Sequence, residues 1–297
     1  ISQMFGELVG LCLAQSWLDQ GAPAAFTLAE LGPGRGTLMA DALRATRSVP
    51  GFHAAMTLVL HEASPALRAQ QAQALNGYCP TWIDCIDALP EQPLYMIANE
   101  FFDALPIHQY IADPAGWREK LVGLQGDKLV FGLSDPKPRP DLTARFGPLH
   151  PGSVVEICAQ AQTYIGTIQN RQHHHGGLAL IIDYGDWRSN GDTLQAVKAH
   201  AYTDPLAAPG QADLTAHVDF EALAGQWQPH HYTPQGAFLT NLGIAARTTR
   251  LAQSLTGEAL ENHLAAYRRL TQDAEMGSLF KVLALTGPDA PKPPGFA

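Results

Sequence analysis

Three glycines, each separated from the next by one residue, follow an acidic side chain near the start of the chain. The segment reads Glu30-Leu-Gly32-Pro-Gly34-Arg-Gly36-Thr37. Glycine lets the main chain adopt unusual φ and ψ angles and approach a ligand closely. A helix that begins after such a turn points its N–H groups at that ligand, and Thr37 is placed to cap the helix. The segment therefore predicts a loop that holds a small molecule against the backbone.

Two kinds of cofactor compete for this loop. A dinucleotide-binding turn has the spacing G-x-G-x-x-G, and its third glycine would fall at position 37, where the chain has Thr37. A pyrophosphate would also be repelled by Glu30, whereas the amino group of S-adenosylmethionine needs an anion. The loop therefore favours S-adenosylmethionine, with another nucleotide or a purely structural turn as the open alternatives.

Polar residues at the ends of the next predicted strands extend the cofactor site. Glu62 follows the apolar run at 56–60, and an acid in that place holds the hydroxyls of a ribose; the alternative is a solvated carboxylate. Asp84 follows a weaker strand around Trp82 and is assigned to the adenine amino group, or else to an ordinary turn. Asn99 follows the apolar run at 94–98 and is assigned to the cofactor as well.

The candidates for the reacting side of the site begin at the next residue. Glu100 is the first choice and Asp103 the second for holding the acceptor, because two carboxylates beside one amide form a pocket for a cationic or hydrogen-bonding group. The alternative for Asp103 is helix capping. Asp183, which follows the apolar run at 178–182, and His217 are expected to line the acceptor side. His217 either acts as a base or is a hydrogen-bonded structural histidine.

No metal site is expected. The three consecutive histidines His173, His174 and His175 cannot easily converge on one ion, so we predict an exposed loop there. The four cysteines form no C-x-x-C pair, which indicates reduced thiols in a cytosolic setting.

These residues require a parallel sheet to bring them together. The apolar runs at 26–30, 56–60, 94–98 and 178–182 are continuous, as in strands that are buried on both faces. Helical patterns separate the first of them, and Ser64-Pro65 starts one of these helices. We therefore predict an α/β fold with a doubly wound, mostly parallel sheet of Rossmann-like type, which binds its ligand at the carboxyl edge.

The middle of the chain has a different pattern. Alternating residues around two turns predict an inserted antiparallel meander over 107–150. A Pro-rich connector over 136–151 and a helix over 156–171 follow, and 190–275 is predicted as mixed helix and loop before a late strand over 279–285. The predicted parts are a cofactor-binding half (1–106), the meander (107–150) and a remainder with a helical insertion on the substrate side (151–297).

Composition excludes two classes of partner. The formal net charge is −9, and no cluster of Lys and Arg forms the basic stripe that a nucleic-acid binder needs. The longest apolar run, 178–182, is far below the roughly 20 residues that cross a bilayer, so no membrane insertion is expected. The oligomeric state does not follow from composition.

Blocks along nearly the whole chain resemble the MidA family. They are 1–7, 30–39, 62–65, 99–106, 183–185, 191–196, 213–220 and 276–282. The resemblance implies a class I methyltransferase that uses S-adenosylmethionine, with Gly32, Gly34 and Gly36 as its loop and Glu30 and Glu62 as its acids.

The resemblance also implies a substrate. Mitochondrial members of the family assist the assembly of respiratory complex I, and protein-arginine methylation is the activity assigned to them. A complex I subunit or a similar protein is therefore the expected partner, in the cytoplasm of a bacterium or in the mitochondrial matrix of a eukaryote. A small-molecule methyltransferase and a non-catalytic, cofactor-binding assembly factor stay open. The family further implies an upstream segment that precedes residue 1.

Overall fold

A computed structural model describes residues 2–199 and 201–297. The chain forms two compact units. Unit 1 comprises Ile1–Phe101, Tyr164–Gly185 and Ala224–Ala297, and unit 2 comprises Phe102–Thr163 and Asp186–Leu223.

The described residues form the following elements. The helices are α1 (Gln3–Asp19), α2 (Thr37–Thr46), α3 (Phe52–Ala55), α4 (Pro65–Ala74), a 3-10 turn (Ile86–Ala88), α5 (Pro140–Phe146), α6 (Ala159–His175), α7 (Phe220–Ala224), α8 (Gln235–Asn241), α9 (Ile244–Ala252), α10 (Gly257–Thr271) and α11 (Met276–Leu279). The strands are β1 (Phe26–Leu31), β2 (Met56–His61), β3 (Thr81–Ile83), β4 (Leu94–Asn99), β5 (His108–Asp113), β6 (Gly116–Gln125), β7 (Lys128–Leu133), β8 (Val154–Ile157), β9 (Gly177–Asp186), β10 (Gln195–Lys198), β11 (Ala201–Thr203), β12 (Asp213–Thr215), β13 (Val218–Asp219), β14 (His230–Pro234) and β15 (Phe280–Thr286).

Unit 1 is built on a sheet in the order β14-β15-β9-β4-β1-β2-β3. The five strands from β9 to β3 are parallel, while β15 is antiparallel to both of its neighbours. Glu30 lies level with Leu60 of β2 and Ile97 of β4, so the carboxyl ends of three strands meet at one edge. The predicted doubly wound, mostly parallel sheet is confirmed.

Burial explains why these segments are strands. All six residues of β1 are buried, and so are the first five of β4, which matches the continuous apolar runs of the sequence. α1 packs closely on α2, since a Cβ on Gly10 would lie 2.6 Å from Cα of Ala42. Ser64 caps α4 as predicted, accepting a hydrogen bond of 3.4 Å from the backbone N of Leu67.

Unit 2 contains a four-stranded antiparallel sheet in the order β7-β6-β5-β8 and a three-stranded sheet in the order β11-β10-β12. Its small core consists of Ala112, Trp117, Leu142 and Val155. The predicted antiparallel meander is confirmed as β5, β6 and β7. The segment predicted as 107–150 lies inside unit 2, which also takes 102–106, 151–163 and 186–223.

Several local predictions were wrong. The helix predicted over 156–171 begins only at Ala159, because residues 154–157 form β8 and pair with β5. The Pro-rich connector contains α5, and 190–275 contains β10, β11, β12 and β14 besides its helices. These strands have three to five residues and many exposed side chains, so they carry little apolar periodicity. His173–His175 are not a loop but the last turn of α6.

Across residues 2–199 and 201–297, every helix is too short or too polar to cross a membrane. In the same ranges no cluster of three or more His, Cys, Asp or Glu side chains could hold a metal ion.

Candidate active site

The glycine loop after β1 has the backbone that its sequence predicts. Gly32, Gly34 and Gly36 have φ angles of +60°, +53° and +77°, a region that other residues rarely adopt. The N–H of Gly32 donates to the carbonyl oxygen of His61 at 3.0 Å, which ties the loop to the end of β2. A Cβ on Gly34 would meet no heavy atom within 4 Å. The main chain at Gly34 therefore faces open space that a ligand can occupy.

The cap of α2 differs from the prediction. The N-cap is Gly36 in a left-handed conformation, and Thr37 is the first helical residue and is exposed. The prediction that Thr37 caps the helix is wrong, because Gly36 occupies the cap position and has no side chain that could accept a hydrogen bond. The N-cap residue therefore supplies no side-chain hydrogen bond to the first turn of α2.

Glu30 is a buried acid, and one of its two carboxyl oxygens lacks a hydrogen-bond partner in the part of the chain that the structure describes. Its side chain lies at the end of β1 with 2% of the residue exposed, and Oε2 has no hydrogen-bond partner among the described residues. Burial raises the pKa of Glu30 to about 8, and the backbone N–H of Met39 offsets only part of this effect. An unsatisfied buried oxygen is costly, and an ammonium group would satisfy it. The amino end of S-adenosylmethionine therefore fits this position.

Glu62 lies at the end of β2 and is held in place by its neighbours. Its Oε1 accepts from the backbone N of Ser64 at 2.8 Å, and its Oε2 accepts from Gln71 Nε2 at 3.1 Å. The same nitrogen of Gln71 donates to the carbonyl oxygen of Gly34 at 2.7 Å. An ionised carboxylate offers about four lone-pair sites, so Glu62 can still accept from two hydroxyl groups.

Gln71 was missed by the sequence reasoning. It is fully buried on α4, and its Oε1 accepts from Trp82 Nε1 at 2.7 Å. The one available signal was a polar residue on the face of a helix that must pack against the sheet.

Arg68 was also missed. Its Nε donates to the carbonyl oxygen of Glu62 at 2.8 Å, and its guanidinium forms an ion pair with Asp84. The side chain of Asp84 is 86% exposed. Asp84 directly follows β3, as predicted, and its assignment to adenine stays a prediction.

Three aromatic rings lie above the start of the loop. His61, Phe101 and Tyr164 form edge-to-face pairs with centroid distances of 5.0–5.9 Å. A Cβ on Gly32 would lie 2.9 Å from the ring of Phe101, so this glycine is required for the contact. Burial lowers the pKa of the His61 ring. The sequence carried no signal that Tyr164, from α6, would join this group.

Asn99 and Glu100 are brought together at the end of β4. Asn99 Nδ2 donates to Oε1 of Glu100 at 3.2 Å, and the backbone N of Glu100 donates to the carbonyl oxygen of Ile182 at 2.9 Å. Glu100 has a φ of +50°, which is uncommon for a residue other than glycine. Both side chains line a cavity of about 680 Å³ that α1, α10 and α11 also border, with Phe5, Arg269, Glu275 and Leu279 among its lining residues.

The other three candidates occupy different surroundings. Asp183 is fully buried in β9 and follows Ile182, the register partner of Asn99. Asp103 and His217 belong to unit 2. The carbonyl oxygen of Asp103 accepts from the backbone N of Ala216 at 3.0 Å, and the backbone N of His217 donates to Thr193 Oγ1 at 2.8 Å. His217 lines a second cavity of about 250 Å³, within unit 2.

Comparison with known proteins decides the family. Residues 8–236 match a family described as "Putative S-adenosyl-L-methionine-dependent methyltransferase". The chain belongs to this family. The methyltransferase is 35% identical to the mitochondrial protein arginine methyltransferase NDUFAF7 of Danio rerio, over 96% of its own length and 74% of that protein. It is 34% identical to the NDUFAF7 homolog of Drosophila melanogaster, over 96% of its own length and 73% of that protein.

A solved structure agrees with this assignment. A crystal structure from Burkholderia thailandensis, bound to S-adenosyl-homocysteine, superposes on the methyltransferase with a TM-score of 0.83 at 28% identity, covering 99% of this chain and 79% of that one. The family resemblance, the α/β methyltransferase fold and the cofactor S-adenosylmethionine are thereby confirmed. The roles of the individual site residues stay predictions.

Proposed function

We propose that this methyltransferase transfers its methyl group to an arginine side chain of a protein substrate. The observation that carries the proposal is Glu100, a carboxylate that ends β4 and lines the cavity of about 680 Å³ in unit 1. The relatives named protein arginine methyltransferases support the choice of substrate.

The cofactor site is assigned to the carboxyl edge of the sheet. We assign the loop of Gly32, Gly34 and Gly36, with Thr37, to the main-chain contact, and Glu30 to the amino group. The support for Glu30 is its unpartnered, buried Oε2. Glu62 is assigned to the ribose hydroxyls, Asp84 to the adenine amino group, and Asn99 to the cofactor from the neighbouring strand.

S-adenosylmethionine, when bound, supplies an electrophilic methyl group on its sulfonium. The work of the chain is to align the acceptor and to exclude water. A guanidinium is held by a carboxylate through paired, charge-assisted hydrogen bonds. We assign this role to Glu100, which Asn99 orients through the hydrogen bond of 3.2 Å. We also assign to Glu100 the role of receiving the proton that the acceptor nitrogen must lose.

Asp103, Asp183 and His217 are proposed as further acceptor-side residues. Asp183 is supported by its place on β9 directly after Ile182, whose carbonyl oxygen accepts from Glu100. His217 is supported by its place at the border of the cavity of about 250 Å³ in unit 2. Asp103 is supported by the hydrogen bond that its carbonyl oxygen accepts from Ala216, the residue before His217.

The protein substrate is proposed to be a subunit of respiratory complex I or a similar partner, on the strength of the family resemblance. The relatives are mitochondrial proteins. We accordingly propose the mitochondrial matrix in a eukaryote and the cytoplasm in a bacterium.

The test is methyl transfer into a cell lysate from labelled S-adenosylmethionine, followed by mass spectrometry of the labelled protein. The wild type is expected to label a protein on arginine. Glu100→Gln is expected to lower the rate at least 100-fold and to change the affinity for S-adenosylhomocysteine less than threefold. Glu261→Gln is the matched control, because Glu261 is exposed on α10, and it is expected to keep the wild-type rate.

Three results would contradict the proposal. Label on a small molecule would assign another acceptor, and the absence of any transfer by the wild type would favour a binding role without catalysis. An unchanged rate for Glu100→Gln would remove Glu100 from the reacting site.

A further inference from the structure

The β6–β7 hairpin of unit 2 carries a run of exposed apolar side chains. We call residues Leu121–Leu133 the distal hairpin. Six of its large apolar residues have relative exposures between 36% and 73%: Leu121, Val122, Leu124, Leu129, Phe131 and Leu133. In contrast, Trp117, near the start of β6, is only 6% exposed and belongs to the small core of unit 2.

Five of these residues share one face of the hairpin. Val122 lies opposite Phe131, and Leu124 lies opposite Leu129, while Leu133 lies opposite Lys120. Residues directly opposite in an antiparallel pair point to the same face, and so do residues two apart along a strand. We call Val122, Leu124, Leu129, Phe131 and Leu133 the apolar stripe.

The apolar stripe begins where the same face of β6 changes from polar to apolar residues. On the same face of β6, Arg118 and Lys120 precede Val122. A sheet face that meets water is normally polar along its whole length. Here it is polar up to Lys120, whose Nζ forms an ion pair of 2.8 Å with Asp192 and also lies 4.4 Å from the ring centroid of Phe131. Beyond that point the face is apolar, which indicates that it is covered in the working protein.

The edge of the sheet leads to the same conclusion. The described residues place β7 at the end of the order β7-β6-β5-β8, with β6 as its one neighbour. Proteins usually protect an exposed edge strand with charges, Pro or a covering element. β7 carries one charged residue, Lys128, and three exposed large apolar ones.

We propose that the apolar stripe is the contact surface of a homodimer, in which a second copy of this chain presents the same stripe across a two-fold axis. Charge is the first argument for a second copy. The chain carries a net charge of −9, so two copies repel over most of their surfaces, but the distal hairpin contains one acid, Asp127, and one base, Lys128. It is therefore a neutral patch where two acidic copies can approach.

Area is the second argument. The five side chains of the stripe, at these exposures, offer roughly 400–450 Å² per copy, so two copies bury on the order of 900 Å², which is the size of a weak, reversible interface. A two-fold interface uses the same patch twice and closes without further growth. An anionic lipid surface fits less well, because binding to it requires several free Lys or Arg around the apolar residues. Here Lys120 is already paired with Asp192.

The test is sedimentation velocity of the full chain and its variants between about 1 and 100 µM. The wild type is expected to sediment as a dimer. Val122→Glu places a charge in the stripe and is expected to raise the dimer dissociation constant at least 100-fold. Leu121→Glu is the matched control, since Leu121 is the neighbouring residue, is 46% exposed and points to the other face. It is expected to change the dissociation constant less than threefold.

Circular dichroism and the thermal midpoint verify that each variant folds. If Val122→Glu fails to fold, Leu124→Lys replaces it, because Leu124 is 73% exposed. The proposal is overturned if the wild type is monomeric at 100 µM, if both glutamate variants weaken the dimer equally, or if a monomeric wild type binds lipid vesicles or a foreign protein through the stripe. None of these measurements depends on the methyl acceptor.

Discussion

Gln71 Nε2 donates a hydrogen bond of 3.1 Å to Oε2 of Glu62, and the same nitrogen donates one of 2.7 Å to the carbonyl oxygen of Gly34. Trp82 Nε1 donates to Oε1 of Gln71, which fixes the orientation of the amide. One side chain of α4 thereby joins the glycine loop after β1 to the acid at the end of β2.

Replacing Gln71 should damage cofactor binding more than stability. In Gln71→Leu, Glu62 and the carbonyl oxygen of Gly34 lose their shared donor, and the loop is no longer tied to the acid. Misplacement of these two binding groups is expected to weaken cofactor binding by about 1.4–2.8 kcal/mol, which corresponds to a 10- to 100-fold change in dissociation constant. We expect the dissociation constant for S-adenosylhomocysteine to rise about 10- to 100-fold, as measured by isothermal titration.

Gln73→Leu serves as the control on the same helix, because Gln73 is exposed. It should bind like the wild type. Equal affinities for the two variants would show that Gln71 has no part in organising the site.

Gly34→Ala should fold and yet lose the cofactor. The φ of +53° costs a residue with a Cβ about 1–2 kcal/mol, but the methyl group meets no protein atom within 4 Å. It would instead occupy the space that we assign to the cofactor. We expect at least a 100-fold loss of affinity for S-adenosylhomocysteine and a small drop in thermal midpoint.

Gly225→Ala separates backbone strain from obstruction. Gly225 has a φ of +54° and equally open space, and it directly follows α7. It should show a similar drop in thermal midpoint with unchanged affinity. If Gly34→Ala binds as well as Gly225→Ala, the main chain at position 34 does not touch the cofactor.

Cofactor binding should release a proton from Glu30. Burial raises the pKa of Glu30 to about 8, so its carboxyl group is mostly protonated at pH 7. An ammonium partner favours the ionised form, so binding releases about one proton at pH 7, and affinity rises as the pH goes from 6 to 8. Titration calorimetry in buffers with different ionisation enthalpies measures the number of protons released on binding.

Glu30→Gln is the control for the proton count. It should release no proton and should bind more weakly at pH 8. In the free protein, the raised pKa of Glu30 contributes stability that is fully present at a pH below 4.5, the ordinary pKa. This stability is lost as the pH rises through 8. Between pH 4.5 and pH 8, the thermal midpoint of Glu30→Gln should therefore fall less than that of the wild type. A wild type that binds without releasing a proton would disprove the assignment of Glu30.

Glu7 should stabilise the fold in a pH-dependent way. Burial raises the pKa of its carboxyl group, but hydrogen bonds from Arg247, Gln3 and Arg44 at 2.6, 2.9 and 3.0 Å outweigh burial and bring the pKa to about 2. Because this pKa is depressed, the contribution is present above pH 4.5 and is lost as the pH falls through 2. Glu7→Gln should lower the free energy of unfolding by about 1–3 kcal/mol at pH 7.

Urea unfolding at pH 7 and pH 3 measures the effect, with Glu261→Gln as the exposed control. The difference in the free energy of unfolding between Glu7→Gln and the wild type should be smaller at pH 3 than at pH 7. A difference that grows at pH 3 would mean that the ion pairs of Glu7 do not stabilise the protein.

Local patterns in the sequence were sufficient to predict the parallel sheet and the glycine loop. β1, β2, β4 and β9 appear as continuous apolar runs because strands covered on both faces need apolar side chains at every position. The glycine loop is equally visible, since positive φ angles and close backbone approach depend on the residues themselves. The cofactor class followed from these two features and from the position of Glu30.

Other features depend on contacts between distant segments, and only the tertiary structure decided them. Residues 156 and 157 were predicted as the start of a helix, and the register with β5 makes them part of a strand. Unit 2 combines Phe102–Thr163 with Asp186–Leu223, which are separate in the chain. Gln71 is one polar residue among several on α4, and its role exists because folding places it between Gly34 and Glu62. Such pairings are set by packing geometry, which residue types and spacing along one helix do not encode.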